Sequence, residues 1–192
     1  SMVDRHRALG RPSDYLAEGC EPAYHRPLRD PARAQHPIAF VGSQEPMRAG
    51  VLAGIADLGV AIWGPGWPQG PLYGDDFIGA FSNARIALNI HQFFGEPPGP
   101  GRYGTGANRR VFELAAIGTV KLCDAKSDIA RNFREDSEIV LFRNLEELRR
   151  KAGALLAAPG AGEAIAGRAR ERALREHTWA HRLEELLTVA LR

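Results

Sequence analysis

Lysine is nearly absent: of 25 basic residues only Lys121, Lys126 and Lys151 are lysine, and the rest are arginine. Because the arginines are spread over the whole chain, the surplus reads as a coding bias rather than as a surface built for anions. Charge of one sign is lacking too, since Lys+Arg 25 against Asp+Glu 23 leaves a formal net charge of +2 in 192 residues. That excludes the one-signed field of a dedicated nucleic-acid binder and favours a small or uncharged partner. Cysteine is scarce, and Cys20 and Cys123 stand in no C-x-x-C or metal-ligand spacing. No disulfide framework and no zinc site is therefore expected, and a reducing cytoplasm suits the chain. No apolar run approaches the roughly 20 residues of a membrane span, and the first residues carry no apolar signal core. No G-x-x-x-x-G-K-S/T occurs, which argues against a P-loop kinase or ATPase.

What is present is the grammar of one α/β domain. Ser1-Met2 reads as a tag remnant, and residues 1–36 as a linker or arm, punctuated by Pro22, Pro27 and Pro31 too often for a long helix. The domain is expected over 37–192. Ile38 to Gly42 is an apolar run ending in glycine, as in a strand buried on both faces. Further strands are expected at 60–64, 86–90, 119–123 and 138–142. Helices are expected at 46–58, from Asp75 or Asp76 to about 84, at 107–117, 127–133, 144–157, 162–176 and 179–191. Alternating strands and helices predict a doubly wound, Rossmann-like parallel sheet of about five strands with C-terminal helices, whose ligands bind at the carboxyl ends of the strands.

The loops after the strands are therefore where chemistry is sought. The longest, Gln92 to Gly106, holds five glycines and three prolines and delivers the chain through Gly104-Thr105-Gly106-Ala107-Asn108 to a helix start. Small residues there let an anion approach free backbone N–H groups at the positive end of the helix dipole. Arg109, Arg110 and Glu113 follow. A guanidinium can grip phosphate oxygens, and a carboxylate one turn on can accept from two ribose hydroxyls. The alternative for Arg109 and Glu113 is a surface i,i+4 ion pair. Gly42-Ser43, with Arg48 nearby, forms a second small-residue turn able to reach the same phosphates, or else simply ends a strand. His91 closes the third strand and is a candidate donor to phosphate or sugar, set against a structural role. Trp63 and Trp67 could wall a base or sugar, or pack under their own loop. His177 and His181 are four apart with no acidic partner in a zinc pattern, and read as structural. Gly99 to Gly104 matches G-x-G-x-x-G, but it follows the third strand rather than the first, so a nicotinamide enzyme is a minor alternative.

The stretch Phe40-Val41-Gly42-Ser43, then Arg48, then Trp63-Gly64-Pro65-Gly66-Trp67, is similar to the opening of the C-terminal domain of CgeB-like (spore-maturation-protein-type) glycosyltransferases. Asn108 to Gly118 resembles their donor-site helix, and Glu176-His177-Thr178-Trp179 with His181-Arg182 their closing helices. Glu18 to Pro22 and His25-Arg26-Pro27 resemble the segment joining the two halves. The resemblance covers about 37–192 and implies a single GT-B half that binds a nucleotide-diphospho-sugar. On it Glu113 would hold the ribose, while Arg110, Arg48 and the Gly42 turn lie near the diphosphate. Ser43, His91, Gly106 and Asn108 complete the expected donor site. No metal or other cofactor is expected, and no catalytic base is named. The acceptor-binding half is not recognised in the chain, so a partner acceptor domain or a homodimer through Trp179, Leu183, Leu186, Leu187 and Ala190 is expected. The rival readings are a non-catalytic sugar-nucleotide-binding or spore/cell-surface assembly module, and an NAD-dependent oxidoreductase.

Overall fold

A computed structural model describes residues 2–92 and 106–191. Most of the Gly/Pro-rich loop, including Gly104, Thr105 and the G-x-G-x-x-G letters, lies outside the described residues. A short helix, α1 (Met2–Ala8), opens the arm. Then come β1 (His36–Val41), α2 (Pro46–Ala53), β2 (Val60–Trp63), α3 (Gly74–Ser82) and β3 (Ala84–Asn89). The second part holds α4 (Arg109–Ile117), β4 (Lys121–Asp124), β5 (Val140–Phe142), α5 (Leu145–Ala157), α6 (Pro159–Glu176) and α7 (Trp179–Ala190).

All five strands are parallel, in the order β2-β1-β3-β4-β5. The sheet is buried because its residues alternate between two apolar layers. Ile38, Phe40, Ile86, Leu88, Leu122 and Phe142 pack on one face with Leu52 of α2 and Leu148 and Ala152 of α5. Ala39 and Ala87 face the other way, and their small side chains leave room for Phe77, Ile78 and Phe81 of α3 and Leu114 of α4. Behind α4, Phe112, Ala115 and Ala116 pack on Ala169 and Ala173 of α6. In this order the chain reverses direction between β1 and β3, and that crevice is where doubly wound sheets take their ligands.

Two of the expected helices break the pattern most. The helix expected over 46–58 stops at Ala53, and a short 3₁₀ turn (Ala56–Leu58) completes it before Gly59 turns left-handed at φ 75°. A side chain at Gly54 would come within 2.8 Å of Leu145, so α5 presses on that break. The expected helix at 127–133 is a 3₁₀ turn, Ser127–Arg131. The arm also carries more than a linker: Ala17 and Cys20 are buried, and Cys20 pairs through its backbone with His177 and Trp179. Farther on, Leu28 N–H donates to Ser82 Oγ and Asp30 N–H to Asn83 Oδ1, both at 2.9 Å.

No helix among the described residues is long and apolar enough to cross a membrane. The outer face of α7 leaves Trp179, Leu183, Leu186 and Leu187 exposed.

Candidate functional site: a polar cleft at the β1/β3 switch point

A cleft of about 400 Å³ opens where β1 and β3 end, lined by Gly42, Arg48, Asn89, Asn108, Arg109, Arg110 and Glu113, with Glu18 of the arm at its side. Of the residues expected for the donor site, the fold thus brings Gly42, Arg48, Asn108, Arg110 and Glu113 around one space.

The Gly42 turn is shaped by close backbone approach. Gly42 N–H donates to Trp63 O and Gln44 N–H to Pro65 O, which lays the Gly64-Pro65-Gly66 turn directly on it. Gly64 has φ 136°, and a Cβ there would stand 2.1 Å from Gly42 O, so both space and backbone geometry demand glycine. Trp67 donates its indole N–H to Gly42 O at 2.9 Å, and Trp63 meets His36 edge-on. Trp67 therefore braces its own loop and Trp63 packs on β1 and the apolar layer beneath it, and neither lines the cleft.

Arg48 is held from two sides. Nε and Nη2 donate to Ile90 O at 3.1 and 3.0 Å, and Nη1 donates to Ser43 Oγ at 2.8 Å. Ser43 thus serves the cleft through Arg48, by fixing a positive charge between the ends of β1 and β3.

His91 departs from its expected place. It is buried, with Nδ1 2.6 Å from Asp124 Oδ1, and its Nε2 accepts the Asn108 backbone N–H at 3.2 Å. Both ring nitrogens are engaged inside the protein, and the pattern fits the tautomer with its proton on Nδ1. The strand-end position suggested a donor aimed at the ligand. Instead the ring pins the residue before α4, because Asp124 on the neighbouring strand draws it inward. Asn108 is then free to pair its side chain with Asn89, the two amides exchanging hydrogen bonds at 3.0 and 3.3 Å. As a result Asn108 gives α4 no side-chain cap, and Asn108, Arg109 and Arg110 at the positive end of the helix line the cleft. Gly106, two residues earlier, is exposed, and no described residue comes near the position of a Cβ there.

His91, Cys123 and Asp124 form a trio of metal-ligating types that spacing alone does not reveal. Burial first, and the charge of Asp124 second, push the Cys123 thiol well above its usual pKa, so it stays protonated. Lys126 Nζ stands 3.3 Å from the second Asp124 oxygen. The positive charge that Asp124 needs is supplied by the chain itself.

Glu113 is the electrostatic centre of the cleft. Only 5% exposed, it receives Arg109 Nε at 2.8 Å and Arg110 Nη1 at 2.9 Å, and His25 Nε2 faces it at 3.5 Å. Burial pushes its pKa up, but His25, Arg110 and Arg109 together outweigh burial and hold it below the usual 4.5. Arg110 lies over the Phe77 ring at 4.3 Å, which fixes its guanidinium as the lone fork of the pair could not. The i,i+4 ion pair between Arg109 and Glu113 exists, yet only Arg109 is at the surface. Sequence reasoning missed Asn89, Glu18 and His25. The last two sit in an arm that the sequence offered only as a likeness to the segment joining the two halves.

His177 and His181 are structural. His181 and Thr178 cap α7 reciprocally, and His177 lies between Asn132 O and Arg182.

Residues 45–188 match the family described as glycosyl transferase-like. The chain belongs to that family. Among curated proteins, none matches it significantly. Solved structures show the same fold at low identity. Sucrose-phosphate synthase from Thermosynechococcus elongatus matches with TM-score 0.69 and 14% identity, over 98% of this chain and 55% of that one. HepE from Anabaena, in complex with UDP and glucose, matches with TM-score 0.68 and 8% identity, over 92% and 56%. An α1,3-fucosyltransferase with GDP-fucose matches with TM-score 0.54 and 18% identity, over 72% and 40%. The fold of this glycosyl transferase-like chain is that of one half of a GT-B glycosyltransferase, and it spans 55% of the length of the sucrose-phosphate synthase it matches.

Proposed function

We propose that the chain is the donor-binding part of a glycosyltransferase of CgeB-like type, and that the β1/β3 cleft holds a nucleotide-diphospho-sugar. The observation that carries this reading is the convergence, on one cleft, of an uncapped helix start, three arginines and a buried carboxylate. The diphosphate lies against the start of α4 and the Gly42 turn, within the field of Arg48, Arg109 and Arg110. Glu113 accepts hydrogen bonds from the ribose hydroxyls. In transfer, the acceptor's nucleophilic atom bonds to the anomeric carbon and gives up its proton to a base or to solvent, while the bond from that carbon to the diphosphate breaks and the nucleoside diphosphate leaves. The departing negative charge is met by the held guanidinium groups of Arg48 and Arg110 and by helix-dipole charge, which is most effective where the charges are already in place. Turnover requires an acceptor-binding part, in cis or in trans.

The UDP of HepE and the GDP-fucose of the fucosyltransferase support a nucleoside diphosphate as ligand class. Against a dinucleotide enzyme stands the β1 turn, Gly42-Ser43-Gln44-Glu45-Pro46, which lacks the glycine series that cradles a pyrophosphate there. The test is calorimetry with UDP, GDP, TDP and NAD. One nucleoside diphosphate should bind and NAD should not. Replacing Glu113→Ala should weaken that binding by about 1–3 kcal/mol through lost charge-assisted hydrogen bonds. Unchanged affinity in a folded variant sinks the assignment. A transfer assay, alone and with an acceptor-binding partner, separates an enzyme from a non-catalytic binding module.

A further inference from the structure

A carboxylate offers four in-plane acceptor positions, two on each oxygen. Among the described residues, Glu113 Oε2 is taken once, by Arg110, while Oε1 faces both Arg109 and His25. A ribose that binds through two hydroxyls needs one free position on each oxygen. Oε2 has one. On Oε1 a partner must leave, and the two candidates differ sharply in what holds them. The Arg109 side chain is 64% exposed and departs into water at little cost. His25 is held by structure around it: its Nδ1 accepts the Glu21 N–H at 3.0 Å, its own N–H donates to Glu21 O at 2.7 Å, and the Tyr24 ring meets it edge-on. That turn is in turn tied to the interior through Cys20. With Nδ1 accepting, the imidazole proton is on Nε2, which stands 3.5 Å from Glu113 Oε1.

We infer that His25, carried by the arm, is a positioning residue for ribose recognition: it keeps the Glu113 carboxylate plane fixed while Arg109 yields its place to the sugar hydroxyl. This rests on the donor-site reading above. The arm, a segment outside the α/β sheet, then backs the nucleotide site, with Glu18 lining the cleft and His25 behind Glu113. His25 itself does not touch the diphosphate.

The experiment compares UDP and GDP with inorganic pyrophosphate, which lacks the ribose, as calorimetric ligands of the whole chain. His25→Ala should lower affinity for the nucleoside diphosphate that wild type binds by about tenfold, the scale of one charge-assisted hydrogen bond, and leave pyrophosphate affinity unchanged. His25→Gln, whose amide N–H can take the place of Nε2, should restore most of the loss. In the wild-type protein, the His25 ring proton signal, identified by its disappearance in His25→Gln, should move with UDP or GDP and not with pyrophosphate. Equal losses for both ligands, or no rescue by Gln, would make His25 a merely structural residue and overturn the inference, as would a ring signal blind to the nucleotide. If wild type binds pyrophosphate but neither nucleotide, the donor reading itself fails and the role of His25 falls with it.

Discussion

The sheet carries a hollow at each end, of nearly equal size: about 400 Å³ at the carboxyl edge and about 370 Å³ at the amino edge. Their walls differ in kind. The amino-edge hollow is lined by Asn83, Gly118, Val120, Leu155 and Gly162, with Arg29 and Arg85 set against Asp30 and Glu163. Asn83 and Gly118 are the C-caps of α3 and α4, so the negative ends of two helices face it. At the carboxyl edge the same α4 presents its positive end, and three arginines stand around it. Volume does not choose between the hollows. The direction of the helix dipole and the placement of guanidinium do, and both favour an anion at the carboxyl edge alone.

The glycines of the two edges offer the most severe way to break this contrast. At Gly64 a methyl group would meet the Gly42 carbonyl, a backbone atom at the base of the cleft, at 2.1 Å. At Gly118, φ 80°, it would meet Cδ of the Arg170 side chain at 3.2 Å, a side-chain and not a backbone atom. Gly64→Ala should therefore cost roughly 3 kcal/mol or more, while Gly118→Ala should cost about 1 kcal/mol, mainly for its left-handed backbone. Denaturant unfolding of the two variants measures this. Similar costs would mean that the turn at the carboxyl edge is not built as tightly as its contacts imply.

The fold was largely legible in the sequence because its signals are local. Ile38 to Val41 and Ile86 to Leu88 are continuous apolar runs, and a strand covered on both faces needs nothing else. Strand ends shifted where polar residues had tertiary tasks. Glu138, expected in β5, instead accepts the Arg134 N–H and pairs with Arg172. In the cleft, Gly42, Arg48, Arg110 and Glu113 could be found from their places after strands and at a helix start. His25 and Glu18 could not, because what holds the arm is remote in sequence: Cys20 N–H reaches His177 O across 157 residues. His91 was placed at the right edge with the wrong direction. No local rule reports that Asp124, one strand over, would turn the ring inward.

Acid offers a second, smaller test of how the carboxyl edge is charged. Glu113 has a depressed folded pKa, so its contribution to stability is present above the usual 4.5 and is lost as pH falls through the lower folded value. His177 titrates earlier. Burial lowers its imidazole from 6.5 to about 4, the unfolded chain takes up the proton first, and stability falls as pH drops across that interval. The loss is on the order of 3 kcal/mol for such a shift. Urea unfolding followed against pH should show the His177 step in wild type and in Glu113→Ala alike. Below pH 4.5 the two curves should converge, since the variant has no Glu113 charge left to lose. Curves that stay parallel to the lowest pH would show that the ring of cations around Glu113 does not stabilise it.

The smallest expected effect is at the opposite edge, and it is the most direct check on which hollow matters. Glu163, exposed on α6, lines the amino-edge hollow without contributing to the core. Glu163→Trp puts a large ring into or over that space and removes one negative charge there. Surface changes of this sort usually move stability by no more than about 0.5 kcal/mol. Nucleoside-diphosphate affinity, measured by the same calorimetry, should stay within about twofold, because no charge at the α4 start has been altered and the added ring is screened from it by the whole sheet. A marked fall in affinity would put the ligand at the amino edge, where the helix dipoles oppose it. The pairing of charge and volume drawn above would then have to be reversed.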